Sequence, residues 1–286
     1  MKKSNLMLLL LLLITGGSLS AAEKRNIPYY DPSFPQTGDK EYLKEQCRLD
    51  LFIPEGKKNF PTLVWFHGGG MTGGKKYYPD GIDRNLIAVA TVDYRLSGKR
   101  AQCPDYLYDA AAAVAWILKH IQEFGGNPEM VYVSGHSAGG YLVAMMALAP
   151  KYLNAFGATP KQLAAAFPVS GQMTTHFQIL DERRQKDPSS PSILLDEYAP
   201  ISNTSGEEAP EILLLVGDSK LEWPARVEEN LLLAARLRRV FGKQDARCHV
   251  FENCNHSSVL TPGIAMINDF IKSAIHSDMA SPKKGN

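Results

Sequence analysis

The stretch that decides the fold reads Met130-Val131-Tyr132-Val133-Ser134-Gly135-His136-Ser137-Ala138-Gly139-Gly140 and continues as an Ala/Met/Leu-rich segment to Leu148. Its first four residues have the β-branched and aromatic character of a short buried strand, and the segment after Ser137 has helical composition. A strand that passes directly into a helix through Gly-x-Ser-x-Gly holds the serine side chain on a sharp, exposed turn. The stretch therefore predicts that Ser137 is a nucleophile, with glycines on either side because side chains there would crowd the turn.

A second glycine-rich segment lies upstream, where the apolar run Thr62 to Phe66 ends in His67-Gly68-Gly69-Gly70. Glycines allow backbone N–H groups to approach a substrate oxygen closely. We therefore expect Gly68 and Gly69, together with the backbone amide of Ala138, to form an oxyanion hole for the reaction at the serine.

A serine nucleophile also needs a base and an acid that orients the base. His256 lies in a loop after the last predicted strand, which is the position expected for the base. The acid should follow the predicted strand Glu211 to Val216, and the loop there contains two carboxylates. Asp218 comes almost directly after the strand, and Glu222 lies four residues further on in a longer turn. The residues alone leave both open as the catalytic acid.

Strand-like and helix-like segments alternate through most of the chain, which predicts a mostly parallel central sheet with helices on both faces. Cys47 to Ile53 alternates polar and apolar residues and is predicted to be an early edge strand. Apolar residues at helical spacing predict a helix over Tyr106 to Phe124. Residues 172–200 are irregular, polar and proline-bearing, and we interpret them as a surface insertion and a small candidate lid.

The first 22 residues differ from the rest of the chain. Lys2 and Lys3 precede an apolar run from Leu6 to Ile14, and small residues follow up to Ala22. The run is much shorter than the ~20 residues that span a bilayer. This pattern predicts a cleavable signal peptide, residues 1–22, with a cut near Glu23. We expect an exported enzyme, periplasmic or extracellular, with no stable membrane association after cleavage.

Composition excludes some partners and leaves other questions open. The chain has 31 basic and 30 acidic residues, a net charge of +1, so we expect no nucleic-acid partner. The predicted chemistry requires no metal and no organic cofactor. Export permits disulfides, and the four cysteines Cys47, Cys103, Cys248 and Cys254 can pair in three ways or remain isolated thiols. A Cys248–Cys254 bridge would need a sharp turn after Phe251. The sequence does not predict the oligomeric state.

These motifs together resemble the α/β-hydrolase fold, and within it the hormone-sensitive-lipase-like and carboxylesterase-like enzymes with the related kynurenine formamidases. The resemblance also includes Asp93-Tyr94-Arg95-Leu96, Pro104 to Trp116 with Asp109, and the order serine, acid, histidine. It covers nearly all of residues 23–286, which are expected to form a single catalytic domain. It implies hydrolysis of a small-molecule carboxylic ester through an acyl-enzyme, with acetyl or feruloyl groups on plant polysaccharide as expected substrates.

The resemblance also bears on the choice of acid. In this family the catalytic acid usually stands third after the glycine that ends the strand, and that place is Lys220 here. Glu222-Trp223-Pro224 resembles the acid-x-Pro pattern of the formamidase-like members with two extra residues before it, which favours Glu222 over Asp218. The same pattern makes an amidase of aryl formamides the alternative enzyme. A catalytically inactive hydrolase fold that binds a partner or ligand is the alternative outside enzymes.

Overall fold

The computed structural model describes residues 22–203 and 208–280. Residues 1–21, which hold nearly all of the predicted signal peptide, lie outside the described residues. Ala22, the last residue of that predicted peptide, begins the first strand. Within the described residues, no helix combines the length and the hydropathy needed to cross a membrane.

Eight strands in the described ranges form one sheet with the order β1-β2-β4-β3-β5-β6-β7-β8. The pairs β1–β2 and β2–β4 are antiparallel, and every neighbouring pair from β4 to β8 is parallel. This arrangement confirms the predicted α/β fold with a mostly parallel sheet. The strands are β1 Ala22–Pro28, β2 Arg48–Ile53, β3 Phe60–Phe66, β4 Ala88–Val92, β5 Gly126–His136, β6 Ala165–Val169, β7 Glu211–Val216 and β8 Arg247–Val250.

Helices cover both faces of this sheet, and the central strands β3, β4 and β6 are therefore buried along their whole length. A large core cluster on one face includes residues of α2, α3 and α6, and a second cluster on the other face includes residues of α7. The helices are α1 Lys40–Gln46, α2 Asp105–His120, α3 Ala138–Leu148, α4 Pro150–Asn154, α5 Phe177–Lys186, α6 Arg226–Phe241 and α7 Leu260–Ala280.

Three local predictions differ from the structure. The predicted edge strand at Cys47 to Ile53 is interior, because β1 pairs along its outer side; β1 is mostly polar and exposed and so carries no periodic apolar signal. The helix predicted to reach Phe124 is α-helical only to His120 and continues as a 3₁₀ turn. The segment 172–200, predicted to be irregular, contains α5, whose polar composition hides its buried positions.

A buried carboxylate anchors α5 to the body of the domain. Glu182 accepts hydrogen bonds from the hydroxyl of Ser97 at 2.5 Å and from the backbone N–H of Cys103 at 2.8 Å. The phenol of Tyr106 approaches the same carboxylate at 3.4 Å. These donors satisfy a carboxylate that would otherwise be costly to bury.

A buried ion pair joins the loop after β4 to α2. The Arg95 guanidinium donates to Asp109 at 2.8 and 2.7 Å, and both side chains are fully buried. Tyr30 donates a further hydrogen bond to Asp109 at 2.6 Å. Removing one partner of such a pair typically costs about 3–5 kcal/mol, because the other charge stays buried without its partner. The pair therefore accounts structurally for the two motifs that contain Arg95 and Asp109.

All four cysteines are free thiols in the structure. The Cys248–Cys254 bridge considered from the sequence does not form, although a turn does follow Phe251. Burial raises the pKa of the Cys248 thiol to about 12, which keeps it protonated near neutral pH.

Candidate active site

Ser137 occupies the turn between β5 and α3 in a backbone conformation that is rare for a residue with a side chain. Its φ is 57° and its ψ is −115°. A Cβ atom on Gly139 would lie 2.1 Å from the carbonyl oxygen of Phe66, and one on Gly135 would lie 2.7 Å from the same atom. Only glycine fits at these two positions. The predicted strand, turn and helix are therefore present, and they hold the serine in a strained conformation.

The predicted oxyanion donors lie beside this serine. A Cβ on Gly68 would come within 3.3 Å of the Ser137 Cβ, so the two residues are in direct contact. Gly69 has a φ of 111°, and its carbonyl closes a tight turn by accepting from the N–H groups of Thr72 and Gly73. Among the described residues, the backbone N–H groups of Gly68, Gly69 and Ala138 have no hydrogen-bond acceptor. These donors remain available to a substrate oxygen.

His67 is hydrogen-bonded to the glycine loop and fixes the orientation of one of its peptide groups. Its Nδ1 lies 2.7 Å from the carbonyl oxygen of Gly68, and since a carbonyl only accepts, Nδ1 carries the proton. Its ring stacks on Tyr94 with 4.4 Å between ring centroids. Burial lowers the pKa of His67, which favours the neutral ring. Because the peptide bond is planar and trans, fixing the Gly68 carbonyl toward His67 turns the Gly69 N–H to the opposite side.

His256 is hydrogen-bonded to Glu222. The His256 Nδ1 lies 2.6 Å from Glu222 Oε1, which also accepts the backbone N–H of Trp223 at 2.9 Å. The hydroxyl of Ser170 donates to Glu222 Oε2 at 2.6 Å. The Glu222 side chain has no exposed surface. Burial raises its pKa, but the hydrogen bonds from His256, Ser170 and Trp223 outweigh that effect and lower the pKa of Glu222 to about 2.

Asp218, the other sequence candidate, holds the loop together instead. Its carboxylate accepts from the backbone N–H groups of Lys220 and Asn253, both at 3.0 Å. Its own N–H donates to the carbonyl of Cys254 at 2.7 Å, and its carbonyl accepts from Glu222 N–H at 2.8 Å. Asp218 therefore ties the acid loop to the histidine loop, and it is Glu222 that contacts His256.

His136 joins the serine turn to the histidine loop. Its Nε2 lies 2.6 Å from the carbonyl oxygen of His256, so Nε2 donates, and the two rings are 4.7 Å apart. Burial lowers the pKa of His136 to about 4, so the ring is neutral near pH 7. His136 therefore keeps one protonation state in the neutral pH range, and its hydrogen bond fixes the backbone of His256.

Two aromatic residues at the site were not singled out from the sequence. Trp223 stacks on His256 with 4.4 Å between centroids and 15° between ring planes, and it is 46% exposed. Phe177 belongs to the segment predicted to be a candidate lid. Its ring centroid lies 6.2 Å from that of Trp223, and its ring packs against Gly70. The only sequence signals for them are that Trp223 follows Glu222 directly and that Phe177 lies in the 172–200 segment. Both line a cavity of about 250 Å³ together with Gln172, Pro224, Arg226 and Glu229.

This arrangement contains the parts needed for nucleophilic acyl transfer. The serine lies on a strained turn with 8% of its surface exposed, the imidazole is hydrogen-bonded to a buried carboxylate, and backbone N–H groups without an acceptor among the described residues lie beside the serine. In the part of the chain that the structure describes, no group of three or more His, Cys, Asp or Glu side chains is arranged to hold a metal ion.

Comparison with known proteins agrees with this architecture. Esterase B from Lactobacillus rhamnosis superposes with a TM-score of 0.67 at 16% identity, covering 93% of this chain and 90% of that chain. The esterase of Pyrobaculum calidifontis gives 0.64 at 19% identity, covering 91% and 87%. By sequence, a cocaine esterase of Oryctolagus cuniculus is 33% identical over 170 residues. That match covers 54% of this chain but only 30% of the relative.

The fold and the arrangement of the site define the chain as an α/β-hydrolase. Residues 49–202 match the BD-FAE family, and the chain belongs to that family. The matched range includes the glycine loop, the serine turn and α5. It ends before Glu222 and His256, so the family match does not include these two residues.

The hydrogen bonds to Glu222 predict a pH-dependent contribution to stability. A carboxyl whose pKa is lowered from 4.5 to about 2 stabilises the fold above pH 4.5, and this contribution is lost as the pH falls toward 2. We expect Glu222→Gln to lower the free energy of unfolding at pH 7, and the difference from wild type to shrink between pH 4.5 and 2. Urea titrations at a series of pH values measure it. Glu55→Gln, at an exposed position, is the control; a difference independent of pH would contradict the prediction.

Proposed function

We propose that the protein is a serine hydrolase of carboxylic esters in which Ser137 is the nucleophile, His256 the base and Glu222 the acid. The observation that carries this proposal is the 2.6 Å hydrogen bond from His256 to the buried Glu222. That bond requires a proton on Nδ1, which leaves Nε2 with the lone pair that can accept the serine proton. The named esterase relative supports the reaction class, although the chain spans less than a third of its length.

The proposed reaction has two acyl-transfer steps. Ser137 Oγ attacks the ester carbonyl as His256 Nε2 takes its proton, and the resulting oxyanion is held by the N–H groups of Gly68, Gly69 and Ala138. Collapse of this intermediate expels the alcohol, which receives the proton from His256. Water then repeats the sequence on the acyl-enzyme and releases the carboxylic acid. Each oxyanion donor contributes about 3 kcal/mol to lowering the barrier in enzymes of this kind.

For the substrate, we propose acetyl or feruloyl esters of plant polysaccharide. The finer choice between them is supported by the cavity that Trp223 lines, because its volume of about 250 Å³ is larger than an acetyl group needs, and Trp223 also stacks on His256. Trp223 and Phe177 form two of its walls and offer aromatic faces to a ring. A ring-bearing ester is therefore the favoured substrate within this proposal.

The triad assignment predicts different losses for four variants. Ser137→Ala is expected to lower kcat for p-nitrophenyl acetate by about 10⁴-fold or more, and His256→Ala by a similar factor. Glu222→Gln is expected to cost about 10³- to 10⁴-fold, because the imidazole loses its acceptor. Asp218→Asn, the matched control in the same loop, should cost much less, since it only weakens hydrogen bonds between loops.

Steady-state kinetics and labelling with a fluorophosphonate probe measure these effects. Full activity in Ser137→Ala, or a larger loss in Asp218→Asn than in Glu222→Gln, would refute the assignment. Absence of labelling in the wild-type protein would favour the inactive binding protein. Faster turnover of N-formylkynurenine than of p-nitrophenyl acetate would favour the formamidase alternative.

The aromatic cavity predicts a selective effect of Trp223. We expect Trp223→Ala to raise KM for a methyl ferulate substrate at least about tenfold, since stacking of one ring contributes roughly 0.5–1.5 kcal/mol beyond its buried area. Part of any loss in kcat will come from the contact with His256, and it should affect acetyl and feruloyl esters equally. The ratio of kcat/KM for the two esters isolates the cavity effect. An unchanged ratio would show that the ring does not bind there.

We also propose that the protein is exported and that residues 1–22 are removed. The support is the charged, apolar and small-residue pattern of the sequence. Mass spectrometry of the protein from the periplasm or the medium should give a mature chain that begins near Glu23. An intact N-terminus on an exported, membrane-bound protein would indicate an uncleaved anchor instead.

A further inference from the structure

Ser170 follows the end of β6 in an unusual backbone conformation. It is fully buried and has a φ of 47°, in the left-handed region that residues with a side chain seldom adopt. Its backbone N–H donates to the carbonyl of Leu215 on β7 at 2.7 Å. A strained and buried serine at the carboxyl end of a central strand requires a structural or functional reason.

The other polar groups of Ser170 contact the acid loop and α6. Its hydroxyl donates to Glu222 Oε2 at 2.6 Å, and its carbonyl accepts from the Arg226 guanidinium at 2.9 Å. Arg226 is only 4% exposed, so this contact lies inside the protein. Ser170 is therefore held by β7 and by α6 while its hydroxyl is directed at the carboxylate.

Glu222 depends on such a contact because its position is not fixed by a strand. It lies in the loop after β7, further from the strand than Asp218, and the terminal torsion of a glutamate is only broadly restricted. Oε1 accepts from both His256 and the Trp223 N–H. Among the described residues, the Ser170 hydroxyl is the only donor to Oε2. Without the Ser170 hydroxyl, only the two donors to Oε1 would oppose rotation of the carboxylate plane.

We propose that Ser170 is a positioning residue that fixes the carboxylate plane of Glu222 so that Oε1 faces His256, with Arg226 holding Ser170 in place. This inference rests on the proposed role of Glu222 as the catalytic acid. The left-handed backbone of Ser170 is what directs the hydroxyl at the acid loop. The short hydrogen bonds on both carboxylate oxygens also account for the lowered pKa of Glu222.

Two deletions of the hydroxyl test the proposal. Ser170→Ala keeps a Cβ and the backbone strain, and Ser170→Gly relieves the strain because glycine adopts positive φ freely. Both are expected to lower kcat for p-nitrophenyl acetate by about 10- to 100-fold, the effect of losing a hydrogen bond to a charged group, with KM unchanged within about twofold. Ser134→Ala is the matched control, since its buried hydroxyl donates to a backbone carbonyl, that of Phe167, at 2.8 Å. It should leave kcat within about twofold of wild type.

A double-mutant cycle separates positioning from a general structural effect. In a Glu222→Ala background, Ser170→Gly should cause no further loss, because the group it positions is absent. Equal losses in both backgrounds, or kcat within twofold of wild type in both single variants, would overturn the proposal.

A second measurement does not depend on catalysis. The His256 Nδ1 proton, held in a 2.6 Å hydrogen bond, should give a far-downfield ¹H NMR resonance in the wild-type protein. It should move upfield or broaden in Ser170→Gly and stay in place in Ser134→Ala. An unshifted resonance in Ser170→Gly would refute the positioning role. If the wild-type protein has no esterase activity but its resonance still moves on Ser170→Gly, the result would support the positioning role and refute the proposed function.

Discussion

The close approach of the serine turn to the end of β3 is the constraint on which the rest of the site depends. The carbonyl of Phe66 lies where a side chain on Gly135 or Gly139 would have to be, so β3, β5 and the first turn of α3 are in backbone contact. Because the glycine loop continues directly from Phe66, this contact brings Gly68 against Ser137. The proposed nucleophile and oxyanion donors are thus positioned by packing of main chains, which cannot change rotamer.

The proposed acid and base are positioned differently, by hydrogen bonds between loops. Glu222 is buried, and hydrogen-bond donors from His256, Trp223 and Ser170 stabilise its charge. His136 holds the carbonyl of His256 from the serine turn. Such contacts are worth more in a buried environment than in water, and each one left unmade would be costly. The site therefore combines a rigid half built on glycine contacts with a half that is built on polar contacts.

The parts of the site that were predictable from the sequence are those fixed by short covalent spacing. Ser137, Gly68, Gly69 and Ala138 lie in motifs whose backbone geometry is local, and His256 follows from its place after the last strand. The choice between Asp218 and Glu222 was not local. It depends on two hydrogen bonds of Asp218: its carboxylate accepts from the Asn253 N–H, and its N–H donates to the Cys254 carbonyl, both more than thirty residues away in the chain. No periodic pattern encodes such a contact.

The same distinction holds for the fold. The central strands were predictable because they are continuously apolar, whereas β1 is polar and forms only because β2 offers it an unpaired edge. Helix α5 has a polar sequence, and its buried positions follow from partners on the loop after β4. Trp223 was visible in the sequence, but its stacking on His256 follows from how far the acid loop extends before α6 begins.

The contacts of Asp218 also determine how the site would come apart. Its N–H, carbonyl and carboxylate contact Cys254, Glu222 and Asn253, so Asp218 links the loops of the proposed acid and base in addition to the hydrogen bond between His256 and Glu222. Loops linked in this way open as a single cooperative unit. Local melting of these loops would then displace the proposed acid and base together and break the His136 contact, while the contacts of Gly135 and Gly139 with Phe66 still hold the backbone of the serine turn. Partial unfolding would leave a molecule with an intact proposed oxyanion hole and no means of activating the proposed nucleophile.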